Sequence, residues 1–389
     1  MASATELLEL LTHRHGNKRA AAAEALGALG ERVHPEALDA LVAACSDKQE
    51  KVRLAAMVSL SRLDSGRATA AAEGGLTDSK SNVRAAAAEL LGALSAPGAC
   101  PRLREMLSDK QPPVRRAAAR ALAAIGGAEA RTILARTLMD PALGEKTART
   151  LAGALASLGA TDALLDGLRH GPHKKVRAEA ATALAGADDP RVYPALVEAT
   201  RDRYPWVRWY AVQALGKHGD DRAVPMLVRI LHGSVSGRID FSMLGKAQDA
   251  LAALGAFDEL AALAEDPGAW QRGAGLVGLS KTGDPRAYAL VVRGLDDDAV
   301  AVQIKALRGL MILADMRCLP LLLPILDQGP NRSESVTSPR VAFWVLQELI
   351  ERHGEEARAA ILAAVPGAGA QAAEALRGVL AGEKTGALR

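Results

Sequence analysis

Apolar residues recur along this chain on two periods at once, a helical one and a longer one of 31 residues. The dipeptides Val52-Arg53, Val83-Arg84 and Val114-Arg115 stand 31 residues apart, as do Val176-Arg177 and Val207-Arg208, and Gln271-Arg272 and Val302-Gln303 keep the same step. Lys18-Arg19 precedes them, and two weaker copies centre on Ala148 and Leu244. With the second residue of each dipeptide as anchor, a Leu follows at +7 in every copy: Leu26, Leu60, Leu91, Leu122, Leu155, Leu184, Leu215, Leu251, Leu279 and Leu310. Positions −1, +3, +6, +7 and +10 share one side of a helix at about 100° per residue. A Gly often stands at +11 (Gly30, Gly126, Gly159, Gly219, Gly255, Gly283), where a helix C-cap favours left-handed backbone. Each anchor therefore opens an amphipathic helix of about three turns.

A second helix is predicted before each anchor, for example His34–Ala44, Pro101–Leu107, Val192–Ala199 and Ala223–Leu231. Two helices per 31 residues form a unit too small to bury its own apolar stripe, so neighbouring units must stack. The fold class is all-α, a solenoid of about ten helical hairpins. The expected organisation is repeats over 1–231, an extended turn or hinge over 232–243, and further repeats over 244–326. A mobile polar loop over 327–338 and capping helices with a tail over 339–389 complete it.

The pattern resembles the HEAT-repeat family, and more narrowly the short HEAT-like repeats of phycobilisome (bilin) lyases. The clearest copy is Asp202-Arg-Tyr-Pro-Trp-Val-Arg208, continuing to Ala214-Leu215-Gly216 and Gly219-Asp-Asp-Arg-Ala-Val-Pro225. An Asp stands six residues before the anchor at Asp47, Asp78, Asp109, Asp202, Asp266 and Asp297. In HEAT proteins such an Asp bonds the anchor Arg of its own or the adjacent repeat. The resemblance thus implies a structural ladder of Asp47/Arg53, Asp78/Arg84, Asp109/Arg115, Asp202/Arg208 and Asp266/Arg272.

Composition fits the resemblance. The 389 residues are 49% hydrophobic but only 3% aromatic, and Ala and Leu suit helices packed at short range. A net charge of +3 over 48 basic and 45 acidic residues argues against wholesale nucleic-acid binding. Cys45, Cys100 and Cys318 form no C-x-x-C pair, which points away from a disulfide framework and toward a cytoplasmic setting. The N-terminus lacks a secretory pattern, and no uncharged apolar run reaches the roughly 20 residues of a membrane span.

Little here suggests catalysis. Phosphate-binding and dinucleotide glycine motifs and H-E-x-x-H are absent. His34-Pro-Glu36 and His353-Gly-Glu355 have the wrong spacing for a metal, so no cofactor or metal is expected. The turn His170-Gly-Pro-His-Lys-Lys175 reads as solvated surface, and Cys45 and Cys318 as small core residues.

The HEAT resemblance further implies that the second helix of each repeat lines a concave side, with +1 and +5 facing the groove. Those positions hold mostly small residues, except for Arg116, Arg120 and Arg149, and for Trp209 and Gln213 with Trp206 beside them. Arg and Trp dominate interface energetics, so these six are the candidate contacts for a protein or peptide partner. The expected function is a non-catalytic adaptor or scaffold. One alternative is a bilin lyase-like, tetrapyrrole-handling protein. Another is a HEAT-like nucleic-acid binder, which Glu24, Glu89 and Asp249 on the same side oppose.

Overall fold

The computed structural model describes residues 3–30, 34–233, 241–328 and 338–382. Most of the expected turn 232–243, most of the polar loop 327–338 and the end of the tail lie outside the described residues. The chain divides into two compact units, Met1–Ala199 and Thr200–Arg389.

The first unit runs α1 (Ala4–Leu11), α2 (Gly16–Ala28), α3 (Pro35–Ala44), α4 (Glu50–Leu63), α5 (Ser65–Gly75), α6 (Ser81–Ala93) and α7 (Cys100–Met106). It continues with α8 (Pro112–Ile125), α9 (Gly127–Leu138), α10 (Glu145–Ser157), α11 (Thr161–His170), α12 (Lys174–Leu184) and α13 (Val192–Ala199). The second unit holds α14 (Pro205–His218), α15 (Val224–Leu231), α16 (Phe241–Ala253), α17 (Phe257–Ala264), α18 (Ala269–Ser280) and α19 (Ala287–Arg293). After these come α20 (Val300–Leu313), α21 (Leu319–Asp327), α22 (Ser338–His353), α23 (Glu355–Ala364) and α24 (Ala370–Leu380). No strand occurs among the described residues. The α-solenoid fold class read from the period is thus the observed one.

The ten anchored helices are α2, α4, α6, α8, α10, α12, α14, α16, α18 and α20. The helical alternation goes further than the anchors. Helices α22 and α24 pack against α21 and α23 as second helices do, yet carry no Val-Arg dipeptide. They belong to the capping helices expected beyond the ten anchored repeats. Phe343 of α22 is fully buried, and the Asp327 carboxylate accepts the α24 amide of Ala372 at 2.9 Å, so this end is tied down.

Small residues set the packing. The Leu at +7 is buried in every anchored helix. Successive second helices also lie side by side at close range. A methyl added at Gly92 would sit 2.7 Å from Cα of Ala121, and one at Gly216 would sit 2.6 Å from Cα of Ala250. Such contacts need glycine on one helix and alanine on the next, which explains the scarcity of aromatic bulk.

Every +11 glycine has positive φ, from 59° at Gly30 to 78° at Gly219. Ser95 (φ 49°) and Ala314 (φ 46°) adopt it in the same slot without being glycine, whereas Asp64 in that slot is extended (φ −150°) and caps the next helix instead.

One residue beyond that slot a further regularity stands. Asp189, Asp220, Asp284 and Asp315 each accept the backbone N–H two residues on and grip the guanidinium of that same residue, Arg191, Arg222, Arg286 and Arg317. The Arg286 and Arg317 planes then cover the rings of Phe257 and Tyr288, at 3.9 and 4.1 Å from their centroids.

Candidate functional site

The anchor arginines form a buried ladder, but its register differs from the expected one. The Asp47 carboxylate is gripped by Arg19 of the preceding repeat at 2.7 and 2.8 Å, Asp78 by Arg53, Asp109 by Arg84, and Asp297 by Arg272. Within its own repeat each Arg instead donates to the aspartate's backbone carbonyl. Arg53 bonds Asp47 O at 2.7 Å, Arg84 bonds Asp78 O at 2.7 Å, and Arg115 bonds Asp109 O at 2.8 Å. Arg208 bonds Asp202 O at 2.9 Å and Arg272 bonds Asp266 O at 3.2 Å.

The cause is local. One carboxylate oxygen of each Asp accepts the N–H two residues on, at 2.8 Å for Gln49, Lys80 and Gln111. That bond turns the carboxylate away from its own repeat. Where the neighbouring slot lacks its partner the rung changes. Arg115 donates to Thr147 Oγ1 at 3.1 Å, and Asp266, whose preceding anchor is Leu244, lies 3.7 Å from His232. Bonding to Arg272 holds the Asp297 carboxyl at about 2, and the hydrogen bond from Arg19 likewise lowers Asp47. These groups serve cohesion between repeats.

The open side of the second helices is also turned from the expected one. Ala20, Ala178 and Gly273 at +1 are buried and Leu54, Ala85, Arg116, Trp209 and Ile304 half-buried, whereas Arg149 and Gly245 at +1, like most +5 residues, stay exposed. Side-by-side packing of second helices covers this edge. The stripe left open in the first unit is +5 and +9, joined by −2.

In the first unit, Arg120 pairs with Glu89 at 2.5 Å, +5 to +5 on adjacent helices. Arg149 Nε lies 3.1 Å from the buried Glu179, which Lys175 also contacts at 3.0 Å. Arg116 is half-buried with no ion pair among the described residues.

In the second unit, Trp206 is 61% exposed on α14. Its ring meets Trp209 edge-on at 5.9 Å and lies 6.5 Å from Tyr210, while Trp209 and Tyr210 meet at 4.6 Å. Lys246 of α16 stands over the Trp209 ring at 4.8 Å. From there a polar line crosses α16, α18 and α20. Asp249 accepts from Lys246 at 3.1 Å and from Lys281 at 2.6 Å. Burial pushes the Asp249 carboxyl up, but the bonds from Lys281 and Lys246 outweigh it and hold it below its usual range.

Beyond Lys281 lies Lys305 of α20. Its stem rests on Gly273, where an added methyl would come within 2.9 Å of Cγ, and its ammonium stands 5.5 Å from the centre of the Trp270 ring. Burial, with repulsion from Arg308 and Lys281, lowers the Lys305 pKa. Lys305 and Arg308 have no carboxylate partner among the described residues. Sequence reading named Trp206, Trp209 and Gln213 here but missed Lys246, Trp270, Lys281 and Lys305. Trp270 occupies the same −2 slot as Trp206, and that was the available signal.

Elsewhere the structure offers little for chemistry. A cavity of about 730 Å³ is lined by Asp39, Cys45, Arg53, Arg67 and Asp78 among others, but Arg53 and Arg67 are already paired with Asp78 and Asp39. Burial pushes the Cys45 and Cys318 thiols up to about 12. Among the described residues no cluster of His, Cys, Asp and Glu is placed to hold a metal ion, and no helix is long and apolar enough to cross a membrane.

The family profile described as HEAT repeats matches residues 4–81, 70–156 and 161–239. The chain belongs to the HEAT-repeat family. No curated protein matches it. Among solved structures, this HEAT chain is similar to Kap95p, seen in a study of its binding to RanGDP, at 13% identity and a TM-score of 0.54. The match covers 97% of this chain and 60% of Kap95p. Kap121p matches at 12% identity and TM-score 0.51 over 96% of this chain and 48% of its own. The YibA protein of Escherichia coli is 23% identical over 65% of this chain, with a TM-score of 0.39. The HEAT chain thus spans about half to three-fifths of the two karyopherin chains, and the likeness is one of fold.

Proposed function

We propose that this HEAT chain is a non-catalytic adaptor or scaffold that holds a protein or extended peptide against the open stripe of its second helices. The observation that carries this is Trp206, a large aromatic ring left mostly in solvent on a packed three-ring cluster. Exposed Trp on a rigid helix is a low-entropy anchor for a partner surface. Solenoids offer extended faces of this kind.

Affinity capture on the immobilised full chain, compared with a Trp206→Ala/Trp209→Ala variant of unchanged circular dichroism, tests the proposal. A protein retained by the natural chain and lost from the variant supports it. Identical retention by both contradicts it. The lyase-type alternative loses support because Arg120 and Arg149 are engaged by Glu89 and Glu179. An unchanged bilin spectrum on mixing would remove it. Three free cysteines suit a cytoplasmic setting.

A further inference from the structure

Charge is unevenly placed on the open side of the second unit. Slots −2, +2, +5 and +9 of α14, α16, α18 and α20 hold Lys217, Lys246, Lys281, Lys305 and Arg308, all of them exposed or half-buried. The same slots hold a single acid, Asp249. In the first unit the equivalent slots of six helices hold Lys51, Arg62, Arg120, Lys146 and Lys175 with Glu24, Glu89 and Glu179, so the basic excess is smaller there. Asp249 is shared by Lys246 and Lys281, so the far end of the line is left with no acid of its own.

We infer that this strip receives an extended acidic peptide, with carboxylates on Lys305 and Arg308 and an apolar side chain on Trp206. This rests on the adaptor reading and names the chemistry of its partner.

Three features argue for that occupant. First, Lys305 is half-buried with Arg308 on its own helix and no carboxylate beside either among the described residues, so an incoming anion would be favoured there. Second, Gly273 leaves a berth for the Lys305 stem, so the ammonium is held in place before any ligand arrives. Third, the aromatic and cationic ends lie on a continuous row, since α14 packs on α16, α16 on α18 and α18 on α20. Helix spacings of about 8–10 Å put the row at roughly 25–30 Å. An extended segment of about eight residues covers that distance at about 3.3 Å each. A nucleic acid fits less well, because it carries a phosphate at every step and one would face Asp249 in the middle of the row, whereas a peptide can place an uncharged residue there.

The test is fluorescence anisotropy with the full chain and a labelled Glu/Asp-rich peptide of about twelve residues carrying one Phe. A peptide with Lys in place of the acids and a single-stranded oligonucleotide of the same length serve as comparisons. The acidic peptide should bind, more weakly as salt rises. Lys305→Met/Arg308→Gln should weaken it about tenfold, and the charge-reversed Lys305→Glu/Arg308→Glu further. No acidic-peptide binding at millimolar concentration overturns the inference. So does preference for the basic peptide or the oligonucleotide, or binding unchanged in the folded Met/Gln variant. If the acidic peptide fails while capture still depends on Trp206 and Trp209, the adaptor reading stands and the acidic partner does not.

Discussion

Removing one carboxylate from the ladder should show what holds adjacent repeats together. In Asp109→Ala, Arg84 loses the partner it holds at 2.8 and 3.0 Å, in a pair whose side chains are only 8% and 9% exposed. Its remaining bonds run to the backbone carbonyls of Asp78 and Ser79. Stranding one member of a buried pair costs about 3–5 kcal/mol. The Asp109 carboxylate also accepts the Gln111 amide at 2.8 Å in the turn before α8, and loss of such a hydrogen bond costs about 1 kcal/mol. The two losses share one side chain and will not add in full.

Repeat arrays need not unfold in one step, so the assay is native-state hydrogen exchange over α6 and α8, not a single melting point. A loss of about 3 kcal/mol means amides there exchange on the order of a hundredfold faster. Glu89→Ala, which breaks an exposed pair with Arg120, should change exchange by less than about 1 kcal/mol. Replacing both partners, as Arg84→Met/Asp109→Leu, should restore much of the protection, because the charged group left stranded is gone. If Asp109→Ala and Glu89→Ala behave alike, the ladder does not hold the repeats together.

Other outcomes follow from the same geometry. Gly216→Ala pushes a methyl to 2.6 Å from Cα of Ala250 and should destabilise by about 1–3 kcal/mol, whereas Ala314→Gly relieves a left-handed residue and should stabilise by about 1 kcal/mol; urea titration of both reads the signs, and equal signs would contradict the account. The Asp297 carboxyl is held at about 2, below its value of about 3.9 in an unfolded chain, so its contribution is complete above about pH 4 and is lost as pH falls toward 2. Melts of the natural chain should therefore steepen across that window, and Asp297→Asn should be weaker at pH 7 with a shallower acid limb; parallel limbs would refute this. The Cys318 thiol, fully buried and pushed up to about 12, should resist a thiol reagent at pH 8 until denaturant is added, and its labelling within minutes in the native protein would contradict that burial.

Much of the fold could be read because the 31-residue step, the +7 leucine and the +11 glycine each answer to a local demand. An apolar stripe must face inward, and a left-handed residue ends most of the anchored helices. Helix α13 was expected at Val192–Ala199 and occupies those residues. A helical wheel separates inside from outside but says nothing of lateral neighbours. Hence +1 was assigned to the open side, although Ala20 and Gly273 there are covered by adjoining helices. Likewise the ladder needed the turn bond from Gln49 to Asp47 before its register could be seen. The candidate site was legible at its aromatic end, where Tyr204, Trp206, Trp209 and Tyr210 cluster in sequence. Its cationic end was not, because Lys246, Lys281 and Lys305 come together only through the stacking of α16, α18 and α20.

Hydroxyl-radical footprinting of the full chain with its captured partner tests most directly where that partner sits. Oxidation of Trp206 and Trp209 should fall on binding, with Trp270 protected alongside them, while half-buried Tyr288 on the first helix α19 stays as reactive as in the free chain. Protection of Tyr288 with Trp206 still fully reactive would place the partner elsewhere and contradict the account.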